Sequence, residues 1–345
     1  MTISRLKGVW ARRKDVAGSL MYWLGVARGF EAVAQPSGAI ILMYHSVAPD
    51  DLLPEVDPSN RLSPQEFGRQ MAFLREHRNV VSMSELVAQI ESGETPRAGT
   101  VCVTFDDGYL DNLTTAAPIL DKHGLPATLF LPTSYIDRAE TQWVDELHGH
   151  FSRRTVDRLD LQHWGLSADL TDERQRSAIR REVHLRLLRA TYVERRELLD
   201  AVRQCLRPRG TPSRLTMNWD EVRELGRRFP RFEIGGHSRN HIDLRTHRGA
   251  LAEEEIAGCA QDLQRELGEG ARHFSFPYGR WCEETRSMVC ASGWRSAVGA
   301  SNRMRIDRSS DRFVLARPAT PNSMTELKFR TSGAYPGVLA MFGLH

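Results

Sequence analysis

The sequence predicts an α/β fold built on a parallel sheet, and three observations predict it. Short apolar, β-branched runs alternate with amphipathic helical patterns, and the links between them are short. The first units read β-α-β-α-β, an order that winds a parallel sheet through right-handed crossovers. A polar, arginine-rich stretch interrupts the alternation midway, and the alternation then resumes.

Ala39-Ile40-Ile41-Leu42-Met43-Tyr44-His45 is the first strand and ends in a histidine. Residues 47–60 carry Pro49, Pro54 and Pro58 and read as a loop. Ser63-Pro64-Gln65-Glu66 opens a helix with a capping hydroxyl, a proline at the first helical position and an acid in the first turn. Phe67, Met71 and Leu74 form its apolar stripe, and residues 84–90 make a further short helix. Val101-Cys102-Val103-Thr104-Phe105 reads as a buried strand, residues 113–123 as a helix stopped by Gly124, and residues 126–131 as another strand.

From 145 to 214 the chain is helical in character, with Leu spaced to give one packed face and Arg to give one charged face. This is either a solvated insertion or a lid and cationic surface that meets an acidic or phosphate-bearing substrate. Helix 219–228, strand 232–236, helix 248–267, strand 272–276, helix 283–291 and strands at 294–298 and 312–316 complete the pattern. The expected organisation is an N-terminal amphipathic helical segment (1–38), a core domain in two pieces (39–144 and 215–320), an Arg-rich helical insertion (145–214) and a C-terminal extension (321–345).

The 345 residues suffice for one large α/β domain, and 41% hydrophobic with 26% charged residues describes an ordinary globular protein. A net charge of +3 without clustered basic and aromatic residues gives no footprint of nucleic-acid binding. The five cysteines are odd in number and form no Cys-x-x-Cys, so reduced thiols in a cytoplasmic setting are expected. Near the N-terminus, Arg5, Lys7, Arg12, Arg13 and Lys14 precede an apolar stretch from Val16 to Ala27 that is too short to cross a bilayer. Ala17, Leu20, Met21, Leu24 and Ala27 share one helical face. That predicts a basic helix that packs on the domain or makes peripheral contact with the inner face of a membrane. Arg28 and Glu31 argue against signal cleavage at Ala32-Val33-Ala34.

Chemistry concentrates at two strand ends. Asp106-Asp107-Gly108 follows the strand at 101–105, and adjacent carboxylates are costly unless a cation separates them or their jobs differ. The plain alternative is a turn or helix cap with two solvated acids. His237-Ser238-Arg239-Asn240-His241 follows the strand at 232–236, and i, i+4 spacing on one helical turn lets two imidazoles reach one ion. Asp107, His237 and His241 together would make a two-His, one-carboxylate metal site, leaving Asp106 free as a base. Such a set also suits ferrous iron, so a mononuclear iron oxygenase is a rival reading.

Thr104-Phe105-Asp106-Asp107-Gly108, His237-Ser238-x-x-His241 and Phe276-Pro277-Tyr278-Gly279, in that order, resemble the polysaccharide deacetylases with a NodB-type homology domain, carbohydrate esterase family 4. The opening Ile41-Leu42-Met43-Tyr44-His45-Ser46-Val47 looks like that of the exopolysaccharide-associated branch. The resemblance runs from about Ile40 to Pro318 and implies a distorted (β/α) barrel of about seven parallel strands, with the site at their C-terminal mouth. It implies a divalent metal, zinc first, on Asp107, His237 and His241, with Asp106 as general base and the Tyr278 backbone N–H at the oxyanion. The implied partner is an N-acetylated glycan or glycolipid.

The chain departs from the family pattern in two places. Where many members carry Leu-x-His, supplying the acid, it has Leu315-Ala316-Arg317, and an arginine does not give up a proton near neutrality. Ser275 stands near the place of the usual arginine before the Pro-Tyr turn. The expectation is therefore that Arg317 pairs with Asp106 to orient it and keep it ionised. His45 would be the acid or a hydrogen-bonder to substrate. Trp143 and Trp294 would either line a sugar cleft or sit in the core. The expected activity is removal of N-acetyl groups from an amino sugar. O-deacetylation on the same site and a non-catalytic glycan binder are the alternatives.

Overall fold

The structure, a computed structural model, describes residues 37–268, 272–300, 305–318 and 320–332. The basic helix expected in the N-terminal segment lies outside the described residues. Among the described residues, no helix is long and apolar enough to cross a membrane.

Seven parallel strands form a nearly closed barrel: β1 (Ala39–Tyr44), β2 (Thr100–Asp106), β3 (Ala127–Leu131), β4 (Phe232–Gly236), β5 (His273–Ser275), β6 (Ser296–Gly299) and β7 (Leu315–Ala316). Spatial order follows chain order, each strand pairing with the next, while Asn79–Val80 adds a short strand beside β2. Across the seam between β1 and β7, Ala39 makes an antiparallel bridge with Ile306, with N···O distances of 2.8 and 2.9 Å.

Around the barrel lie α1 (Pro64–His77), α2 (Met83–Glu91), α3 (Ala117–His123), α4 (Thr133–Arg138), α8 (Trp219–Arg228), α9 (Ala250–Leu267), α10 (Glu283–Ala291) and α11 (Met324–Thr331). Between β3 and β4 the chain also forms α5 (Trp143–Ser152), which starts two residues before the expected insertion, then α6 (Glu173–Arg189) and α7 (Tyr192–Leu206). The N-cap expected at Ser63 is present, its side chain accepting from Glu66 N–H. Gly124 ends α3 at φ 64°, where a side chain would be strained.

Strand alternation sorts the residues. Ala39 and Ile41 of β1, Cys102 of β2, Phe130 of β3, Val298 of β6 and Leu315 of β7 form one buried cluster with Met83, Leu86, Val87 and Ile90 of α2. This cluster fills the barrel where the strands begin. The opposite parity (Ile40, Leu42, Tyr44, Val101, Val103 and Phe105) joins the larger layer under the helices. Burying each such side chain stabilises by about 1.5–3 kcal/mol. Continued to the strand ends, the inward parity selects His45, Thr104 with Asp106, His237, Ser275 and Arg317. The fold therefore delivers these side chains to one mouth.

The insertion is less uniformly helical than its sequence predicts. Arg158–Leu161 and Leu166–Asp169 pair as an antiparallel hairpin, with Gly165 at φ 61° before its second strand. Each strand has four residues, too few to show a period against an arginine-rich background. Leu159 and Leu166 pack with Phe151, Val183, Leu187, Leu198 and Val202 into a second hydrophobic cluster. Helix α11 was likewise not expected.

Candidate metal centre

Four residues of the mouth take left-handed backbone conformations: Asp107 (φ 74°), Ser238 (φ 60°), His241 (φ 49°) and Tyr278 (φ 59°). Such conformations cost non-glycine residues of order 1 kcal/mol or more and persist only where surrounding bonds hold them. After Asp107 the chain turns at Gly108 (φ 67°), where a Cβ would come within 2.7 Å of Ile136. This turn aims Asp107 at the His loop.

The histidine pair corrects an expectation. Residues 237–241 form no helical turn; Ser238 and His241 break the helix with positive φ. The imidazoles converge nevertheless, their Nε2 atoms 3.2 Å apart. Bonds from other elements hold the loop. Glu255 of α9 accepts from the N–H groups of Arg239 (2.9 Å) and Asn240 (2.7 Å), and Ser238 Oγ accepts from His241 N–H (3.0 Å).

Asp107 Oδ1 lies 3.3 Å from His241 Nε2 and 3.7 Å from His237 Nε2, and all three residues are buried. Partner chemistry fixes the His237 tautomer. His237 Nδ1 is 2.7 Å from the Ser275 carbonyl, which only accepts, so the proton sits on Nδ1 and the Nε2 lone pair faces Asp107. The Tyr278 hydroxyl accepts from Trp143 Nε1 (2.7 Å) and donates to the His241 carbonyl (3.1 Å). The same hydroxyl lies 3.1 Å from His241 Nδ1; with its proton on the His241 carbonyl it accepts from Nδ1–H, an arrangement that leaves Nε2 bare toward the cluster. Asp107 Oδ1 is buried and without a hydrogen-bond partner. Two imidazole lone pairs and an unpaired carboxylate oxygen repel one another unless a cation joins them. The donor set fits a divalent metal such as zinc.

Asp106 sits beside this cluster, its Oδ2 3.7 Å from His237 Nε2. Arg317 grips it with both terminal nitrogens and also donates to Thr104 Oγ1 (2.9 Å) and Ser275 Oγ (2.7 Å). Burial pushes the Asp106 carboxyl up, but the Arg317 guanidinium, with His237, more than offsets it and the pKa falls to about 2. Burial, with Arg317 adding to it, pushes the His45 imidazole down to about 4 against the pull of Asp106. His45 is thus neutral at pH 7, with a buried Nδ1 that no protein group satisfies. Behind it, Asp111 accepts from Ser46 Oγ and Val47 N–H, and Asn112 Nδ2 donates to the His45 carbonyl (2.8 Å).

The two tryptophans part company. Trp294 is a core residue, its ring 5.1 Å from that of Phe274 and close enough to Gly236 that a Cβ there would clash at 2.4 Å. Trp143 is buried too, but its N–H holds Tyr278 beside His241. Three groups at the centre were missed from sequence: the Tyr278 hydroxyl, Glu255 and Arg195 of the insertion. Only Tyr278 lay within a recognised motif.

Comparison with known proteins gives a consistent picture. The family model described as polysaccharide deacetylase matches residues 93–200 and 210–297. Over 134 residues the chain is 29% identical to YxkH of Bacillus subtilis, a protein named among the polysaccharide deacetylases; the match spans 37% of this chain and 46% of that relative. Among solved structures, the fold resembles the deacetylase PplD of Streptococcus pyogenes, determined with acetate. The TM-score is 0.56 at 17% identity, covering 86% of this chain and 99% of that one. IcaB of Ammonifex degensii matches with a TM-score of 0.54 at 17% identity, over 87% of this chain and 99% of its own.

Proposed function

Since this chain belongs to the polysaccharide deacetylase family, we propose that it is a metal-dependent hydrolase that removes N-acetyl groups from an amino sugar in a polysaccharide, oligosaccharide or glycolipid precursor. One observation carries the reading: Asp107, His237 and His241 offer ligand atoms within 4.8 Å of one another, next to a second, arginine-held carboxylate. Those three residues would hold the cation. A zinc ion there supplies Lewis acidity, polarising the acyl carbonyl and making water nucleophilic at neutral pH.

The protein's own groups supply the rest. Asp106 stays ionised across the working pH range, and Arg317 fixes its plane, so it would accept the proton of the attacking water and, once protonated, return it to the departing amine. The Tyr278 backbone N–H, in its left-handed turn, is assigned to the developing oxyanion. Neutral His45, with its unsatisfied nitrogen, suits a hydrogen bond to substrate better than proton donation at pH 7. The neighbouring base and the parallel barrel favour hydrolysis over iron-dependent oxygenation.

Arg317 favours a second reading, O-deacetylation. It stands where the family resemblance puts a protonated acid, and an alcohol leaves with less acid help than an amine. Acetate release from an N-acetylated chitooligosaccharide and from an O-acetylated sugar, each with and without chelator, tests both. The main reading expects release from the first substrate, loss with chelator and recovery with zinc. Release from the O-acetyl sugar alone would favour the second, and release insensitive to chelator would overturn both.

A further inference from the structure

The arginine-rich insertion sends one arginine into the protein interior. Arg195 of α7 is fully buried, and its five recorded hydrogen bonds all end on neutral oxygens. Nε donates to the Leu187 carbonyl (3.3 Å) and one terminal nitrogen to Tyr135 Oη (3.4 Å) and the Asn240 carbonyl (3.2 Å). The other terminal nitrogen donates to the carbonyls of Ala190 (3.5 Å) and His241 (3.2 Å). The guanidinium carbon lies 5.4 Å from the ring centroid of Trp143, the residue whose N–H holds Tyr278.

Burying a guanidinium to which no carboxylate is hydrogen-bonded is costly, and its five bonds to oxygen offset that cost. What those bonds hold assigns its role. Two of its five bonds hold the consecutive peptide carbonyls of Asn240 and His241, where the chain is left-handed at His241. It bridges those carbonyls to the Leu187 carbonyl in the last turn of α6 and the Ala190 carbonyl just after it, and it backs the Trp143–Tyr278 pair beside the His241 ring.

We propose that Arg195 is a positioning residue that sets His241 for metal binding, so that the insertion is a structural part of the metal centre rather than a solvated appendage. The proposal rests on the metal-site reading above. Its test is built so that the two can fail separately.

Zinc affinity by competition calorimetry, and hydrogen exchange over residues 238–243 of the metal-free protein, are measured on the full chain for the wild type, Arg195→Met and Arg195→Lys. Arg196→Met is the control. Arg196 neighbours Arg195 and also ties the insertion down, through Glu140 (3.1 Å) and Glu146 (3.0 Å), without touching the His loop. Arg195→Met is expected to weaken zinc binding by about 10–100-fold, the usual cost of losing a group that orients a ligand, and to speed exchange at 238–243. Arg196→Met is expected to leave both at wild-type values.

Should Arg195→Met fail to fold, Arg195→Lys is read instead. Its ammonium donates from a single point and cannot span carbonyls on both elements, so a partial loss in both measures is expected. Wild-type zinc affinity and exchange in a folded Arg195 variant would overturn the proposal, as would equal losses in Arg196→Met. If the wild type binds no zinc, the metal-site reading fails, and exchange at 238–243 in the metal-free variants still decides the role of Arg195.

Discussion

Arg317 holds Asp106 through two parallel bonds, Nη1 to Oδ1 at 2.9 Å and Nη2 to Oδ2 at 2.6 Å, with both side chains only 4% exposed. The fork geometry fixes the plane of the carboxylate as well as its charge. An arginine that cannot donate its proton thus serves the neighbouring base, and the chain departs here from the family pattern in a chemically coherent way.

Replacing Arg317 by Met leaves Asp106 buried without its cation. Loss of one partner of a buried pair destabilises by about 3–5 kcal/mol, so chemical denaturation should show a drop of that order. The Asp106 pKa should rise from about 2, and the acid limb of the kcat/KM profile should move to higher pH. An unmoved limb would deny Arg317 its part in keeping the base ionised.

Asp106→Asn separates base from ligand. The amide keeps size and can still accept from Arg317, but it cannot take a proton. Turnover should fall by about 10²–10⁴-fold while zinc binds as in the wild type, read by steady-state kinetics beside calorimetry. A matching loss of zinc would make Asp106 a ligand instead.

Tyr278→Phe removes one hydroxyl that accepts from Trp143 and faces His241 Nδ1. Leaving the Trp143 N–H unpaired and His241 Nδ1 without its partner should cost about 1–3 kcal/mol and weaken zinc binding. Since the oxyanion role is assigned to the Tyr278 backbone, kcat of the zinc-saturated variant should change little. A large loss of kcat at saturating zinc would give the hydroxyl a chemical role.

Asp145, on α5, accepts from Tyr109 Oη (2.5 Å) and Asp57 N–H (2.7 Å). Burial, reinforced by the charges of Asp57 and Asp111, pushes its carboxyl from 3.8 up to about 7 despite those bonds. A folded value above the unfolded one means that this group's stabilising contribution is complete below about pH 4 and is lost as pH rises through about 7. In the zinc-loaded protein, Asp145→Asn should therefore gain on the wild type between pH 5 and 8, by an amount on the order of 2–4 kcal/mol. Parallel stability curves for the two proteins would contradict the shift.

Much of the barrel was legible because short apolar, β-branched runs between helical patterns are local information. The parity that hides Ala39 and Ile41 also carries His45 to the mouth, and the same rule brings Asp106, His237, Ser275 and Arg317 there. The backbone of the site was not legible. His237 and His241 meet through left-handed residues that no glycine announces, held by Glu255 from α9 and Arg195 from α7. These are bonds between segments distant in sequence, and they override the helical spacing of the pair. Arg195 itself is one arginine among many in its segment, and only burial distinguishes it. Trp143 and Trp294 look alike in sequence and differ only in which neighbour they meet.

The central claim is that one cation belongs between Asp107, His237 and His241, and zinc stoichiometry tests it most directly. Titrating the chelator-stripped chain by calorimetry should give one zinc per chain in the wild type and a greatly weakened site in Asp107→Asn. Asp107→Asn binding zinc as the wild type does, or a wild type that takes up none, would contradict it.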